Sequence, residues 1–166
     1  MKSFWTWLRN AAGRTLVGFV PALARADDVY AESLLSPAEY RLYLQMDPRD
    51  RHHACLIAKT LCRKVPTASP ELLRAALLHD VGKSAVPYRA WERIAVHIYT
   101  PGNLPPEPRV RGLRRAWQVH RFHDRYGAEM IRAAGGSERV AEIVARHRLP
   151  KGDPEAIILK EIDEVF

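Results

Sequence analysis

His79 and Asp80 stand side by side at the end of an apolar run, Leu72, Leu73, Ala75, Ala76, Leu77 and Leu78, in which Arg74 is the one evident solvent position. An imidazole beside a carboxylate is a donor pair for a divalent cation. The carboxylate has two oxygens and can bridge two ions, whereas the neutral ring has one lone pair to give. Taking Asp80 out of water costs several kcal/mol unless it is paired, hydrogen-bonded or bound to a metal. Its partners must come from elsewhere in the chain. His53 lies four residues before Ile57 and eight before Leu61; His147 follows Ile143 by four and Val144 by three; Asp163 shares a helical face with Ala156, Leu159 and Phe166. Three segments that each send one imidazole or carboxylate inward, besides His79-Asp80, are explained together by a shared divalent metal. His52 competes with His53, and only the register of Ile57 and Ala58 separates them. His97 and His120 fit no pattern. Lys83 has two readings, satisfying helix carbonyls or contacting a substrate phosphate.

The elements that must position these groups are marked by proline. Ser36-Pro37, Asp47-Pro48, Ser69-Pro70 and Asp153-Pro154 each place an N-capping side chain before a residue suited to the first helical turn. Four helix starts follow. Glu39 adds a capping-box spacing to the first, the second runs to about Lys64, and the third is the central helix, with Gly82 read as a left-handed C-terminal cap. A helix is expected from Val86 to Thr100, with Trp91, Ile94, Ala95 and Ile98 as its apolar stripe. Residues 101–115 then read as an exposed basic loop. A helix from about Trp117 to Ala134 ends at Gly135-Gly136, Ser137 caps the next, and a last helix runs from Pro154. No stretch alternates as a strand does. The fold class is all-α, a helical bundle of about six to eight helices.

With 166 residues the chain has the length of one domain. Residues 1–35 read as an amphipathic, aromatic extension and 36–166 as the domain. Hydrophobic residues at 47% with no bilayer-length run describe a soluble protein rather than a membrane-spanning one. Cys55 and Cys62 are two turns apart on one helix, cannot bridge, and read as cytosolic core thiols. The 26 basic against 19 acidic residues give +7, which favours phosphorylated ligands or an anionic surface. Without a reading motif, nucleic acid ranks last among these partners. Pro21 and Gly18 interrupt the apolar run after Arg14, so the start reads as mature sequence and not as a leader. Residues 4–20, with Phe4, Trp5, Trp7 and Leu8 beside Lys2 and Arg9, offer a peripheral membrane contact; packing onto the domain or a partner is the plainer reading. The location expected is cytoplasmic, with membrane-peripheral as its variant.

The order His53, His79-Asp80, Asp163, with Ala-Leu-Leu-His-Asp-Val-Gly-Lys around the pair, resembles the HD-domain superfamily of metal-dependent phosphohydrolases. The resemblance covers roughly Ser36 to the C-terminus. It implies that His53, His79, Asp80 and Asp163 hold a first metal. His123-Asp-Arg-Tyr-Gly127-Ala-Glu and the following His147 resemble the bimetallic branch, which implies a second ion on those two histidines with Asp80 as the bridge. The cofactor so implied is one or two divalent ions from Mn, Fe, Co, Ni, Zn and Mg. The activity implied is hydrolysis of a nucleotide-like phosphate monoester or diester through a metal-activated water, with Asp80, His79 and Lys83 at the reaction and Lys83, Arg114 and Arg115 on the substrate. Where the cyclic di-GMP branch carries a second His-Glu and Gly-Tyr-Pro, this chain has Arg148, Leu149 and Pro150, so that specificity does not transfer. The rival reading is a regulatory or scaffold module that keeps the metal without turnover.

Overall fold

The computed structural model describes residues 25–86, 90–99, 101–107 and 112–166, except for the side chains of residues 90, 93, 94 and 97. The aromatic segment 4–20 and the side chains of Ile94 and His97 therefore lie outside the described residues. All regular structure within them is helical. The order is α1 (Asp28–Leu34), α2 (Pro37–Leu44), α3 (Pro48–Lys64), α4 (Pro70–Leu78), a 3₁₀ turn (Val81–Ser84), α5 (Ala90–Ile98), α6 (Leu113–Ala133), α7 (Glu138–Arg146) and α8 (Pro154–Asp163). None of these helices is long and apolar enough to cross a membrane.

The four proline-marked starts form as their chemistry dictates. Ser36, Asp47, Ser69 and Asp153 each accept backbone N–H bonds from the first turn they precede, and Ser36 with Glu39 completes a capping box. α1 is the helix the sequence pattern does not predict; Asp27 caps it through Tyr30 N. It lies within the stretch read as an extension, yet Ala31 and Leu35 pack in the same core as Leu61, Leu77, Ile131 and Leu159.

α4 sits at the centre. Leu72, Ala75, Ala76, Leu77 and Leu78 are all buried, against α3 on one side and α7 on another. Arg74, expected in solvent, instead turns back to Glu39, whose carboxylate is fully buried at 0% exposure. Arg74 Nε donates to Glu39 Oε2 at 2.9 Å and Nη2 to Oε1 at 2.6 Å; Ser36 N and Ser137 N reach the same carboxylate at 3.0 and 3.5 Å. One carboxylate thus ties together α2, α4 and the entry to α7. A second ion cluster joins α7 to α8: Arg139 binds Asp153 at 2.7 Å and Glu155 at 2.6 Å, while Glu155 also accepts from Ser69 Oγ at the head of α4.

Several expectations change in the folded chain. The central helix stops at Leu78, and the backbone tightens into the 3₁₀ turn. Gly82 is not left-handed; the glycines with positive φ are Gly112, Gly135 and Gly152, and of these Gly135 ends α6 as anticipated. α5 is shorter than 86–100 and is rotated, because Glu92 is held by Arg115 at 3.2 Å and Val96 is buried, which leaves Trp91 and Ile98 in solvent. Cys55 is buried but Cys62 is exposed, so only one of the two thiols belongs to the core. α6 begins at Leu113, so Arg114 and Arg115 stand on its first turn rather than in a loop. The loop before it is fastened to α6 where Gln118 Nε2 donates to Pro105 O at 2.9 Å and Tyr126 Oη donates to Pro106 O.

Burial raises the Glu39 pKa, and the Arg74 guanidinium and Ser36 N–H outweigh it, so the carboxyl ends below its ordinary value of 4.5. A depressed folded pKa stabilises the protein above the unfolded value, and that stability is lost as pH falls through the folded one. Glu39→Gln is expected to destabilise the fold by about 3 kcal/mol in denaturant titration at pH 7, because Arg74 is left facing a neutral amide. The difference from wild type should shrink as the titrations are repeated below pH 4.5.

Candidate metal centre

The chain turns sharply after α4 because the 3₁₀ turn lies directly on α6. A Cβ built on Gly82 would stand 1.9 Å from His123 O and 2.6 Å from Gly127 N, closer than any side chain tolerates. Gly127 is the reciprocal half of the contact, with Gly82 N 3.2 Å from its own would-be Cβ. The glycine is required by proximity and not by a left-handed backbone. Asp80, two residues earlier, is thereby carried against His123.

Around Asp80 the structure gathers every residue that the resemblance implied as a ligand. Asp80 Oδ2 is 3.5 Å from His79 Nε2, and Asp80 Oδ1 is 3.4 Å from His123 Nε2. The ring of His147 stacks edge-on to His79 and tilted to His123, each at 5.4 Å between centroids. His53 Nε2 pairs with Asp163 Oδ1 at 2.9 Å, and that oxygen is 3.8 Å from His79 Nε2. Two donor groups result, His53 with His79 and Asp80, and Asp80 with His123 and His147; in each, one donor atom per residue lies within 4.8 Å of the others. Asp80 is common to both. His52 separates from His53 here, since its Nδ1 bonds Arg25 O at 2.8 Å, away from the cluster.

A feature not legible in the residue types fixes the rings. His79 Nδ1 bonds Ala76 O at 2.8 Å, His123 Nδ1 bonds His120 O at 2.9 Å, and His147 Nδ1 bonds Val144 O at 2.7 Å. Each ring uses the carbonyl three residues back in its own helix. With the proton held on Nδ1, the Nε2 lone pair of all three rings is presented to the centre. His79 Nε2 is buried there without a hydrogen-bond partner. An orphaned buried acceptor between two carboxylates fits a cation. Donors bound at about 2.1 Å to one ion are about 3.0 to 3.5 Å apart, close to the separations around Asp80.

The electrostatics agree. Burial raises the Asp80 pKa, but Lys83, His79 and His123 bring it well below the ordinary carboxylate value. Burial raises Asp163 too, and the His53 hydrogen bond with the His79 charge lowers it to about 2. Burial alone is the leading cause that holds His123 well below 6.5, and burial with His79 lowers His147 to about 4. Ionised carboxylates with neutral imidazoles are the protonation states that metal binding needs. His79, Asp80, His123 and His147 form a buried floor, while His53, Asp163 and Lys83 are partly exposed and form its rim.

Lys83 turns to the centre, where its Nζ bonds Asp80 Oδ2 at 2.6 Å. Arg115 is engaged with Glu92, and Arg114 is exposed on the first turn of α6, so the structure does not join either to the cluster. His120 contributes its carbonyl, which His123 Nδ1 and Arg148 Nη1 share. Arg148 is the neighbour that the residue types missed: its Nη1 donates to His120 O at 3.1 Å and Arg121 O at 2.8 Å, sharing with His123 the carbonyl that orients that ring. Only its position after His147 hinted at this.

Among family models, the one described as HD domain matches residues 53–165. No curated protein and no solved structure gives a significant match.

Gly82→Ala is expected to lift the turn from α6, cost about 1 to 3 kcal/mol, and part Asp80 from His123. Wild type should gain about 2.7 kcal/mol of unfolding free energy at a Mn concentration near 100 times its dissociation constant. The alanine variant should gain much less, and its metal content after gel filtration should fall.

Proposed function

Since the chain belongs to the HD-domain family, whose members are generally metal-dependent hydrolases, we propose that it hydrolyses a small phosphate ester, monoester or diester, of nucleotide-like type. The observation that supports this reading above the others is the sharing of Asp80 between two histidine groups in a buried floor, with Lys83 on its outer oxygen. His53, His79, Asp80 and Asp163 would hold one ion, and Asp80, His123 and His147 a second. Divalent ions bound there supply Lewis-acid polarisation of the phosphoryl oxygen and a water made nucleophilic near neutral pH.

The protein's own residues divide the remaining work. The three Nδ1 contacts to backbone carbonyls hold the rings, so no reorganisation of donors is needed on binding. The buried floor excludes bulk water on one side, which leaves the rim of His53, Asp163 and Lys83 as the direction of approach. Lys83 is the cation placed to meet a phosphate, since its ammonium is partly exposed and adjoins Asp80. The nucleotide-like class follows from the resemblance and the basic balance of the chain. Arg114 is exposed on the first turn of α6, on the side turned from His123, and Arg115 would first have to leave Glu92, so Lys83 is the cation that carries this reading.

Turnover should appear when phosphate monoesters, diesters and nucleotides are screened with Mn, Co, Ni and Mg. It should stop on chelation and return with added metal. Asp80→Ala and His79→Ala should fall to background, and Lys83→Met should lose about 10²-fold in kcat/KM with metal content unchanged. Stoichiometric metal with no turnover under any condition would instead leave a metal-bound regulatory module.

A further inference from the structure

Away from the metal centre, one face of the molecule combines exposed apolar side chains with cations. On α5, Trp91 and Ile98 lie seven residues apart on one side of the helix, 51% and 81% exposed, and Tyr99 follows at 63%. The Tyr99 ring meets Trp117 of α6 edge-on at 5.8 Å. On α6, Arg114, Trp117 and Arg121 follow at helical spacing along a stripe nearly opposite His123. Arg121 Nη1 donates to Pro101 O at 3.1 Å and Gly102 O at 2.6 Å, so the chain after Tyr99 is held on this same turn. Arg148 donates to the His120 and Arg121 carbonyls of the same turn, and Leu149, which follows it in the chain, is 68% exposed. Two separate segments, the chain leaving α5 and the one after α7, thus converge on one turn of α6.

Their charge is of one sign. Residues 93–106, 112–123 and 147–152 contain no Asp or Glu, while their described basic side chains include Arg114, Arg121, Arg148 and Lys151. The nearby carboxylate of Glu92 is buried and taken up by Arg115. We propose that this face seats the protein on an anionic lipid surface. Trp and Tyr are the side chains that settle at a headgroup boundary, aliphatic tips gain by entering the acyl region beneath, and each arginine near the surface adds attraction to anionic headgroups. The aliphatic tips favour lipid over nucleic acid, because Ile98 and Leu149 have no planar face to stack on a base. The inference is independent of the hydrolase reading, since α5 and the Arg114–Trp117–Arg121 stripe lie on the side of α6 turned from His123, and only Arg148 adjoins the metal centre.

The test is co-sedimentation of the full chain with vesicles of phosphatidylcholine alone and of phosphatidylcholine with phosphatidylglycerol. Binding is expected to the anionic vesicles only, and to weaken with salt. Ile98→Ser with Leu149→Ser should lower the partition coefficient at least tenfold, as should Arg114→Glu; both positions of the first pair are exposed, and an unchanged circular dichroism spectrum verifies the fold. Each serine variant alone gives a smaller loss in the same direction. The proposal is overturned by absence of binding to anionic vesicles, or by retention on a single-stranded oligonucleotide without vesicle binding. It is equally overturned if the serine pair binds as wild type does while Trp5→Ser with Trp7→Ser abolishes binding, which would assign the contact to residues 4–20.

Discussion

A carboxylate withdrawn from water must be compensated by charge or hydrogen bonds, and the arrangement of this protein around Asp80 is the compensation. Its two oxygens face different partners, one toward His79 and Lys83 and the other toward His123. His123 and His147 are themselves buried, and burial disfavours their cationic forms. A site of neutral rings and ionised carboxylates has an electrostatic deficit that a divalent cation fills. The same deficit draws Lys83 inward to Asp80.

That compensation depends on backbone proximity. Helices carrying ordinary side chains sit 8 to 10 Å apart, whereas the 3₁₀ turn at Gly82 approaches the α6 backbone closely enough that no Cβ fits. Gly82 is indispensable to the contact, while a Cβ on Gly127 would press against its neighbours at 3.2 Å. The price of such an approach is a helix that ends early, and α4 does end at Leu78 with His79 as its cap residue. His147 is in the corresponding position at the end of α7. A ring at a helix end can fold back on the carbonyl three residues earlier while its other nitrogen points away from the helix.

The periphery holds these ends in register. Glu39 joins α2, α4 and the entry to α7, so the two helices that end in His79 and His147 share one buried anchor, through Arg74 midway along α4 and Ser137 at the head of α7. Arg139 and Asp153 fix α8 against α7 and hence place Asp163 at the far end of α8. Neither cluster touches the metal centre. Each sets the direction of a helix whose tip does.

The helices of the bundle were legible from local chemistry: four capped prolines, the Gly135 stop and the apolar faces of α3, α4 and α7 are decided within a few residues of chain. The donor types, and the inward register of His53, His147 and Asp163, were legible for the same reason. α1 was not, because it is short, lacks proline and gains its order from packing under α3 and α4. The rotation of α5 was not, because a long-range pair between Glu92 and Arg115 overrides its own apolar stripe. The choice between His52 and His53, the inward turn of Arg74, and the role of Gly82 all hinge on atoms far away in the chain. Local propensity and periodicity specify which groups face inward; only the approach of α6 to the turn after α4 decides that they face one another.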